Sequence, residues 1–400
     1  MKTKHWVIAA LDEPRVRMLA HDCACAPLTA AVLSARGIDT AQAAERYLSC
    51  DSKGLHDPFL MADMDRAVQT VRRALENNEH IVVYGDYDVD GITATCIMVD
   101  YLRSKGAVCE YYIPNRLNEG YGLSRAAMER LYGQGTRLLI TVDSGITADE
   151  EIAAARALGM KVVITDHHEC HDSLPEADAV VDCKRADCDY PFGSLAGVGV
   201  AFKLICALEG DAGTVLARYA DLLALGTVAD VMPIVGENRI IVAAGLKKMA
   251  ETSNIGLEML LREAGMKHKR LTSAAISFVL APRINAAGRM GQAELAAELF
   301  LTRDPVRAQM LAAELCEQNK RRQNEENQIL TQALARLRME YNPLEDKIIV
   351  LAGEGWHPGV VGIIAARLTE RYGRPSIVLS IADGLAKGSG RSLKGFSLFG

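Results

Sequence analysis

Aromatic side chains and an excess of positive charge are both lacking in this sequence of 400 residues. Only 5% of the residues are Phe, Trp or Tyr, so few side chains are available for stacking against nucleic-acid bases. The 45 Lys and Arg residues are outnumbered by 51 Asp and Glu residues, which gives a formal net charge of −6. Any surface that binds a polyanion must therefore be a local one.

Long apolar runs, paired cysteines and nucleotide-binding glycine motifs are absent as well. No stretch of about 18 apolar residues runs without charge, which argues against a membrane-spanning helix. The N-terminal apolar run, about seven residues long, is too short for a signal peptide. The ten cysteines include no CxxC pair, so we expect free thiols in a reducing compartment and a cytoplasmic protein. Without a GxGxxG motif or a P-loop, a flavodoxin-like nucleotide binder is disfavoured.

Short β-branched runs alternate with helical stretches from Asp57 onward. Continuous apolar strands of this kind are typical of a parallel sheet that is covered by helices on both faces, so the fold class predicted is α/β. The predicted strands are Ile81–Gly85, Val108–Ile113, Leu138–Val142, Lys161–Thr165 and Ala179–Asp182.

Changes in composition divide the chain into four parts. Residues 1–56 are predicted to form a small helical preface, and 57–301 the main α/β domain. Residues 302–343 are rich in Ala, Leu, Glu, Gln and Arg and contain no Gly, which predicts one long connecting helix rather than a partner site of the coiled-coil type. A second α/β domain is expected over 344–400; with so few residues it is incomplete, and we expect the chain to be a fragment.

Acidic and histidine side chains follow three of the predicted strands. Ligands of open parallel α/β sheets bind at the carboxyl ends of the strands, so these side chains should meet at one edge. The three groups are Asp86, Asp88 and Asp90; Asp143; and Asp166, His167 and His168.

Clustered carboxylates and imidazoles favour a site for two Mn²⁺ or Mg²⁺ ions, because repulsion among the acids would otherwise be strong. One alternative is that each acid caps a helix or occupies a surface turn. Another is a zinc site formed by Cys170, His171, Cys183 and Cys188, although that spacing matches no common zinc ligand set.

A series of motifs resembles a known family, the DHH phosphoesterases, named for the triplet that stands here as Asp166, His167 and His168. Within the family, the motifs are most similar to those of bacterial exonucleases specific for single-stranded DNA. They follow the family's order between Ile81 and Ser392: VVYGDYDVDGITAT, PNRLNEGYGLS, LLITVDSGI, VVITDHHE, LALGTVADVMPI, APRINAAGRMG, GWHPGVVGIIAARL and GSGRS.

The resemblance implies a DHH domain joined by a long helix to a DHH-associated domain, with two divalent ions, Mn²⁺ or Mg²⁺, in the first. The expected catalytic residues are Asp143, which would bridge the ions, Asp166, and His168 beside the scissile phosphate. Tyr84 stands where related members carry a His, so one coordination position would be filled differently here. The implied metal ligands are Asp86, Asp88, Asp90, Asp143, His167 and Asp230, although the sequence alone does not decide among the first three.

Arginine is favoured for phosphate recognition because its planar fork matches phosphate oxygens. The resemblance implies a pocket for a substrate 5′ phosphate and a His near the path of the strand. The expected residues are Arg116, Arg289, Ser389 and Arg391 for the pocket, and His357 for the strand. The basic clusters at 267–270 and 319–322 could line a groove, or could simply be solvated helix faces.

The implied function is a metal-dependent 5′ to 3′ exonuclease that hydrolyses single-stranded DNA to 5′ mononucleotides in recombination and repair. Its partners would be single-strand-binding protein and a helicase, with no membrane. One alternative is a DHH phosphoesterase of short oligoribonucleotides, cyclic dinucleotides or another small phosphate substrate. Another is a catalytically silent DNA-binding or scaffold protein, against which the intact acids argue. The family's Gly-Gly-His segment and oligonucleotide-binding domain do not occur before Gly400.

Overall fold

The N-terminal part of the chain is helical in the computed structural model, which describes residues 7–116, 119–120, 122–342, 345–396 and 398. The predicted boundary between residues 343 and 344 lies outside these described residues. Two 3-10 turns, Ser52–Gly54 and Pro58–Leu60, follow the first three helices. These helices are α1 (Glu13–Asp22), α2 (Pro27–Ser34) and α3 (Ala41–Ser49).

Among the described residues, no single helix is long and apolar enough to cross a membrane. The helices α1 and α2 are long and apolar enough only as a pair, and that pair is bent by 117°.

Five parallel strands form the first sheet, in the order β2-β1-β3-β4-β5, so the predicted parallel α/β architecture is confirmed. Each predicted strand is present, although the second is shorter than expected and the fourth extends to Asp166. The strands are β1 (Ile81–Gly85), β2 (Cys109–Tyr112), β3 (Leu138–Val142), β4 (Lys161–Asp166) and β5 (Ala179–Asp182).

Apolar residues fill both faces of this sheet because successive side chains of a strand point in opposite directions. In β1, Ile81 and Val83 belong to the larger core, whereas Val82 and Tyr84 belong to a smaller core on the other face. The continuous apolar runs of the sequence therefore have a physical cause in two-sided burial. The helices that alternate with the strands are α4 (Met64–Glu76), α5 (Val89–Ser104), α6 (Arg125–Gly133) and α7 (Asp149–Ala157).

A helical layer follows the sheet and packs mainly into the larger core. Lys203 and Glu237 form an ion pair inside it, and both side chains are fully buried. The π-helix Ile276–Leu280 lies between two of its helices. The layer contains α8 (Gly197–Glu209), α9 (Ala212–Ala229), α10 (Gly236–Met249), α11 (Ile255–Glu263), α12 (Ser273–Ala275), α13 (Ala281–Arg289) and α14 (Glu294–Leu301).

A single helix of 36 residues, α15 (Pro305–Glu340), joins this layer to the second domain, as predicted. It begins where the Asp304 side chain accepts a hydrogen bond from the Val306 N–H at 2.9 Å, with Pro305 in the first turn. No glycine interrupts it, which is consistent with its length.

The second domain contains a three-stranded sheet and one helix. Its strand order is β6-β7-β8; β6 and β7 are parallel, whereas β8 is antiparallel to β7. Its apolar core includes Ile329, Ala333 and Leu337 of α15, so the connecting helix is part of this domain's packing. The elements are β6 (Ile349–Glu354), α16 (Pro358–Tyr372), β7 (Ser376–Ala382) and β8 (Leu385–Arg391).

Candidate active site

The acidic and histidine side chains meet at the carboxyl edge of the first sheet. The strand order reverses between β1 and β3, and at such a reversal the loops diverge and leave a crevice. Asp86 follows β1 and Asp143 follows β3 on the two sides of that reversal, while His167 follows β4. Asp230, at the end of α9, joins them from the helical layer.

His167 lies at the centre of this cluster. Its Nε2 atom is 3.1 Å from Asp143 Oδ1, 3.7 Å from Asp230 Oδ2 and 3.8 Å from Asp90 Oδ2. Three groups of side chains offer ligand atoms within 4.8 Å of one another. The groups are Asp143, His167 and His168; Asp90, His167 and Asp230; and Asp86, Asp88 and Asp143.

Asp90 and Asp143 are fixed by the first turn of α8. The N–H groups of Gly197 and Val198 donate to the two oxygens of Asp90 at 2.7 and 2.9 Å. Asp143 has a left-handed backbone with φ of 57°, which is uncommon for a residue other than glycine. A Cβ atom added at Gly197 would lie 2.4 Å from Asp143 Oδ1, so the absence of a side chain at Gly197 makes room for this carboxylate.

Asp88 and Asp86 differ in their environments. Asp88 caps α5: its Oδ1 accepts hydrogen bonds from the N–H groups of Asp90 and Gly91 at 2.9 and 3.1 Å. The capping role considered for these acids is thus realised by Asp88, whose carboxylate also belongs to one candidate metal group. Asp86 is 5% exposed, and its Oδ1 has no hydrogen-bond partner among the described residues.

The buried acids repel one another. Burial and the charge of Asp88 raise the pKa of Asp86, and burial and Asp88 also raise the pKa of Asp90. Burial, Asp90 and Asp88 raise the pKa of Asp143 well above its usual value. Burial and Asp90 raise the pKa of Asp230 to about 6. Such a set of acids is stabilised in its charged form by cations.

Asp166 and His168 form a separate pair beside the cluster. His168 Nδ1 lies 2.7 Å from Asp166 Oδ1, and this hydrogen bond raises the pKa of His168 to about 9. Burial opposes ionisation of Asp166, but hydrogen bonds from His168 and from the N–H groups of Ile146 and His167 lower its pKa. His168 is therefore a protonated imidazolium, and the carboxylate of Asp166 holds its ring in one orientation.

A cluster of arginines forms where α13 meets the second domain. Arg289, the last residue of α13, donates to the carbonyl of Gly359 at 3.3 Å. The guanidinium of Arg116 stacks over the Tyr87 ring at 4.9 Å. Burial and the positive charges of Arg116, Arg322 and Arg391 lower the pKa of Arg289 to about 10. These guanidinium groups lie close enough to repel one another, as expected of a site for an anion.

The second domain contributes the remaining residues expected near a phosphate. Arg391 Nη1 donates to Ser389 Oγ at 2.8 Å, and both residues belong to β8. A Cβ atom added at Gly362 of α16 would lie 3.1 Å from Ser389 Oγ, so the small residue leaves this side of β8 open. His357 caps α16, and its Nδ1 accepts a hydrogen bond from the Gly359 N–H at 3.1 Å.

Two side chains at the site were missed by the sequence analysis. Asp182 ends β5, is fully buried and pairs in register with Asp166; its Oδ2 has no hydrogen-bond partner among the described residues. It could have been found, since it is one more acid at a strand end. Tyr87 stands between Asp86 and Asp88 in the sequence, and its ring stacks against the guanidinium of Arg116 at 4.9 Å, so it adjoins both the acids and the arginines. No periodicity in the sequence marks that position.

Two further expectations concern Tyr84 and the cysteines. Tyr84 is fully buried, and its hydroxyl donates a hydrogen bond to the carbonyl of Gly122 at 3.0 Å. Among the described residues, no group of three or more potential metal ligands includes a cysteine. All ten cysteines are free thiols.

Comparison with known families identifies two regions of the chain. Residues 80–227 match the DHH family, N-terminal domain, and residues 345–400 match the DHHA1 domain. A protein of Bacillus subtilis (strain 168) named single-stranded-DNA-specific exonuclease RecJ is 42% identical over 396 residues. The match covers 98% of this chain and 50% of that relative, so the chain spans half the length of the relative.

Solved structures of similar proteins agree with the family matches. A crystal structure of exonuclease RecJ bound to manganese is 37% identical and covers 84% of each chain, with a TM-score of 0.76. A crystal structure of RecJ from Thermus thermophilus in complex with Mn²⁺ is 34% identical, covers 98% of this chain and 55% of that one, and has a TM-score of 0.82. The chain belongs to the RecJ family of single-stranded-DNA-specific exonucleases, with a DHH domain followed by a DHHA1 domain.

Proposed function

We propose that this chain forms the catalytic part of a metal-dependent exonuclease that hydrolyses single-stranded DNA from its 5′ end to 5′ mononucleotides, in recombination and repair. The observation that carries the proposal is the cluster of Asp90, Asp143 and Asp230 around His167 Nε2 at 3.1–3.8 Å. The cluster stands at the carboxyl edge of the sheet, where cations bound to it would neutralise the charge of a phosphate. The Bacillus subtilis relative is named a single-stranded-DNA-specific exonuclease, and a solved relative is named an exonuclease bound to manganese.

The donor set fits two divalent ions, Mn²⁺ or Mg²⁺. Hard carboxylate oxygens and an imidazole are suitable ligands for either ion. Asp86 Oδ1 is buried without a hydrogen-bond partner among the described residues, and the buried Asp143 Oδ1 lies 3.1 Å from His167 Nε2, so both oxygens are suited to bind a cation. When bound, such ions lower the pKa of water and neutralise charge on a phosphoryl group. The proposed ligands are Asp86, Asp88, Asp90, Asp143, His167 and Asp230.

The side chains of the protein supply orientation and charge around that centre. His168, held by Asp166, is positively charged near pH 7 and is suited to donate a hydrogen bond to a phosphate oxygen beside the acids. Asp143 belongs to two of the three candidate ligand groups, which supports a bridging role for its carboxylate. We propose Asp143, Asp166 and His168 as the catalytic residues.

The arginine cluster is proposed to bind the 5′ phosphate of the strand. Arg116, Arg289 and Arg391 present planar donors of the kind that phosphate oxygens accept, and Ser389 adds a hydroxyl. His357, at the start of α16, is proposed to lie along the path of the strand. A binding site for the end of the strand, set apart from the cluster of acids, would fix how many nucleotides separate that end from the cleaved bond.

The test uses the chain and its Asp143→Asn variant with Mn²⁺ and a long single strand that carries either a 5′ phosphate or a 5′ hydroxyl. We expect mononucleotides to be released from the 5′ end by the parent, faster with the phosphate, and a loss of at least about 100-fold in the variant because one ligand of the centre is removed. Products are resolved at single-nucleotide resolution.

Asp172→Asn is the matched control, since Asp172 is exposed in the loop that follows the DHH triplet. It should cleave like the parent. If the parent hydrolyses a dinucleotide but leaves both long strands intact, the proposal is wrong and a small-substrate phosphoesterase takes its place.

We further propose that the enzyme acts in the cytoplasm with single-strand-binding protein and a helicase. A helicase generates single strands and the binding protein presents them, so both match the proposed substrate. The ten free thiols are consistent with a reducing compartment.

A further inference from the structure

The connecting helix α15 carries a row of polar side chains that is largely buried. Gln318, Arg322 and Glu326 are four residues apart, so they lie one above another on one helix face. Gln318 and Glu326 are 4% and 2% exposed, and the Arg322 side chain is 13% exposed. Arg321, the next residue in the basic cluster at 319–322, has a side chain that is 58% exposed. Arg321 therefore lies on the solvated face of the helix, whereas Arg322 does not.

Contacts at both ends of this row place Arg322 beside the arginine cluster. One turn before it, Gln318 Nε2 donates to the side chain of Gln292 at 2.5 Å, three residues beyond Arg289. One turn after it, Glu326 Oε1 pairs with Arg367 Nη2 of α16 at 2.5 Å. Since α16 also accepts the hydrogen bond of Arg289 through Gly359, the turns of α15 on either side of Arg322 contact the segment after α13 and the helix α16, the two parts of the chain that Arg289 joins.

The guanidinium of Arg322 is held in one orientation by its own helix. Nη1 donates to Glu326 Oε2 at 2.5 Å, and Nη2 donates to Asn319 Oδ1 at 2.8 Å. A guanidinium has five N–H groups in a fixed planar arrangement, so donors remain for a ligand while the plane is fixed. Little side-chain entropy would then be lost when an anion binds.

The charges favour an anion with more than one negative charge. Arg322 is one of the cations that lower the pKa of Arg289, together with Arg116 and Arg391. A terminal phosphate monoester carries a charge of about −1.5 to −2 near pH 7, as a phosphorylated side chain does, whereas an internal diester carries one. Glu326 is shared between Arg322 and Arg367, so these three side chains keep one net positive charge. That charge has most effect on the terminal group.

We propose that Arg322 is a fourth arginine of the site for the strand's terminal phosphate and helps to select a 5′ phosphate over a 5′ hydroxyl. This inference rests on the proposed function, since it names a further residue of the same site. The connecting helix would thereby contribute directly to substrate recognition, in addition to its packing role.

The experiment compares Arg322→Gln, Arg322→Lys and the matched control Arg321→Gln with the parent chain in Mn²⁺. The quantity measured is kcat/KM for a single strand with a 5′ phosphate divided by kcat/KM for the same strand with a 5′ hydroxyl. Loss of one charged hydrogen-bond donor should lower this ratio about 10-fold or more in Arg322→Gln, chiefly through KM. Arg322→Lys should retain part of the preference, and Arg321→Gln all of it. Thermal unfolding midpoints identify any variant that fails to fold.

The outcomes separate the two proposals. A parent that prefers the phosphate, with a preference unchanged in a folded Arg322→Gln variant, would overturn the role of Arg322 and leave the exonuclease in place. An equal loss in Arg321→Gln would also overturn it, because general electrostatic attraction would then explain the effect. A parent that cleaves neither strand would overturn the proposed function, and the role of Arg322 with it.

Discussion

Gly197 controls how closely α8 approaches the acids. A Cβ atom there would lie 2.4 Å from Asp143 Oδ1 and 2.5 Å from Asp143 Cβ, closer than real contacts allow. Gly197→Ala should therefore displace Asp143 or α8 and lower the affinity for Mn²⁺ by about 10- to 100-fold, as loss of a supporting contact does at other metal sites. Isothermal titration calorimetry with Mn²⁺ measures this effect.

Gly133→Ala is the control for Gly197→Ala. A Cβ atom at Gly133, the last residue of α6, meets no atom within 4 Å. This variant should bind Mn²⁺ like the parent. Unchanged Mn²⁺ affinity in a folded Gly197→Ala protein would contradict the assignment of Asp143 to the metal centre.

The strand-end acids could be predicted at the residue scale because their strands are continuous apolar runs that stop at an acid. That reasoning locates Asp86, Asp143 and Asp166 at one edge, and it could also have located Asp182. It could not reveal the left-handed backbone of Asp143 or the approach of Gly197, because both depend on packing between segments distant in sequence. Asp230, at the end of a helix, required the family resemblance.

Asp63 joins α4 to the edge strand β5. Its Oδ2 accepts hydrogen bonds from the Val180 N–H at 3.2 Å and from Arg185 Nη1 at 2.9 Å. Burial opposes ionisation of this carboxyl, but the hydrogen bonds from Arg185 and Val180 lower its pKa below the usual 3.8. A carboxyl whose pKa is lower in the folded state stabilises the fold above the unfolded pKa, and this contribution is lost as the pH falls through the folded value.

Asp63→Asn should therefore lower the free energy of unfolding at pH 7 by about 1.5–3 kcal/mol, which is the usual contribution of a hydrogen bond to a charged group. The difference between parent and variant should be nearly constant from pH 7 to about pH 5 and should shrink below about pH 4. Urea unfolding at several pH values measures it. Asp65→Asn, at an exposed position in the first turn of α4, is the control and should have little effect. A difference that grows at acidic pH would contradict the role given to Asp63.

The strands of the first sheet and the connecting helix were predicted, whereas the helices of the layer after the sheet were not located individually, and one strand of the second domain was missed. A 36-residue helix without glycine and apolar strands such as Ala179–Asp182 follow from composition and periodicity. The strand β8 was missed because Leu385–Arg391 contains two glycines and is mostly exposed, a composition that is unusual in strands. It is held by antiparallel pairing with β7, which a local sequence pattern does not reveal.

The two domains of the molecule meet at Gly359. A Cβ atom at this position would lie 2.1 Å from the carbonyl oxygen of Arg289, so only glycine allows α16 to approach α13 so closely. Gly359→Ala should separate Arg391 and Ser389 from Arg289 and lower the preference for a 5′ phosphate by about 10- to 100-fold, because small displacements of binding groups have effects of this size. The ratio of kcat/KM for the two kinds of strand end measures the preference.

Mn²⁺ binding is the internal control for Gly359→Ala, because the proposed metal ligands belong to the first domain alone. The affinity for Mn²⁺ should match that of the parent. A variant that loses Mn²⁺ binding and phosphate preference together would contradict the separation of the two sites.

The arrangement of the arginines could not be predicted at the scale of the whole molecule. Arg116, Arg289, Arg322 and Arg391 come from a loop, two helices and a strand, and only the packing of α13, α15 and α16 brings them together. Each one alone has the sequence context of an ordinary surface charge. The resemblance implied three of them, and Arg322 joins them only through the packing of α15.

Tyr87 is the sequence neighbour of Asp86 and stacks against Arg116, so the group of carboxylates and the group of guanidinium ions are adjacent in the crevice and give it an electrostatic polarity. A single strand repeats the same sugar-phosphate unit along its length, so a surface of uniform charge would bind it almost equally well in either direction. Attraction of the more highly charged end to the arginines favours one of the two directions. In the proposed enzyme, the polarity of degradation would thus follow from having the carboxylates and the arginines in two neighbouring groups, without any contact to a base.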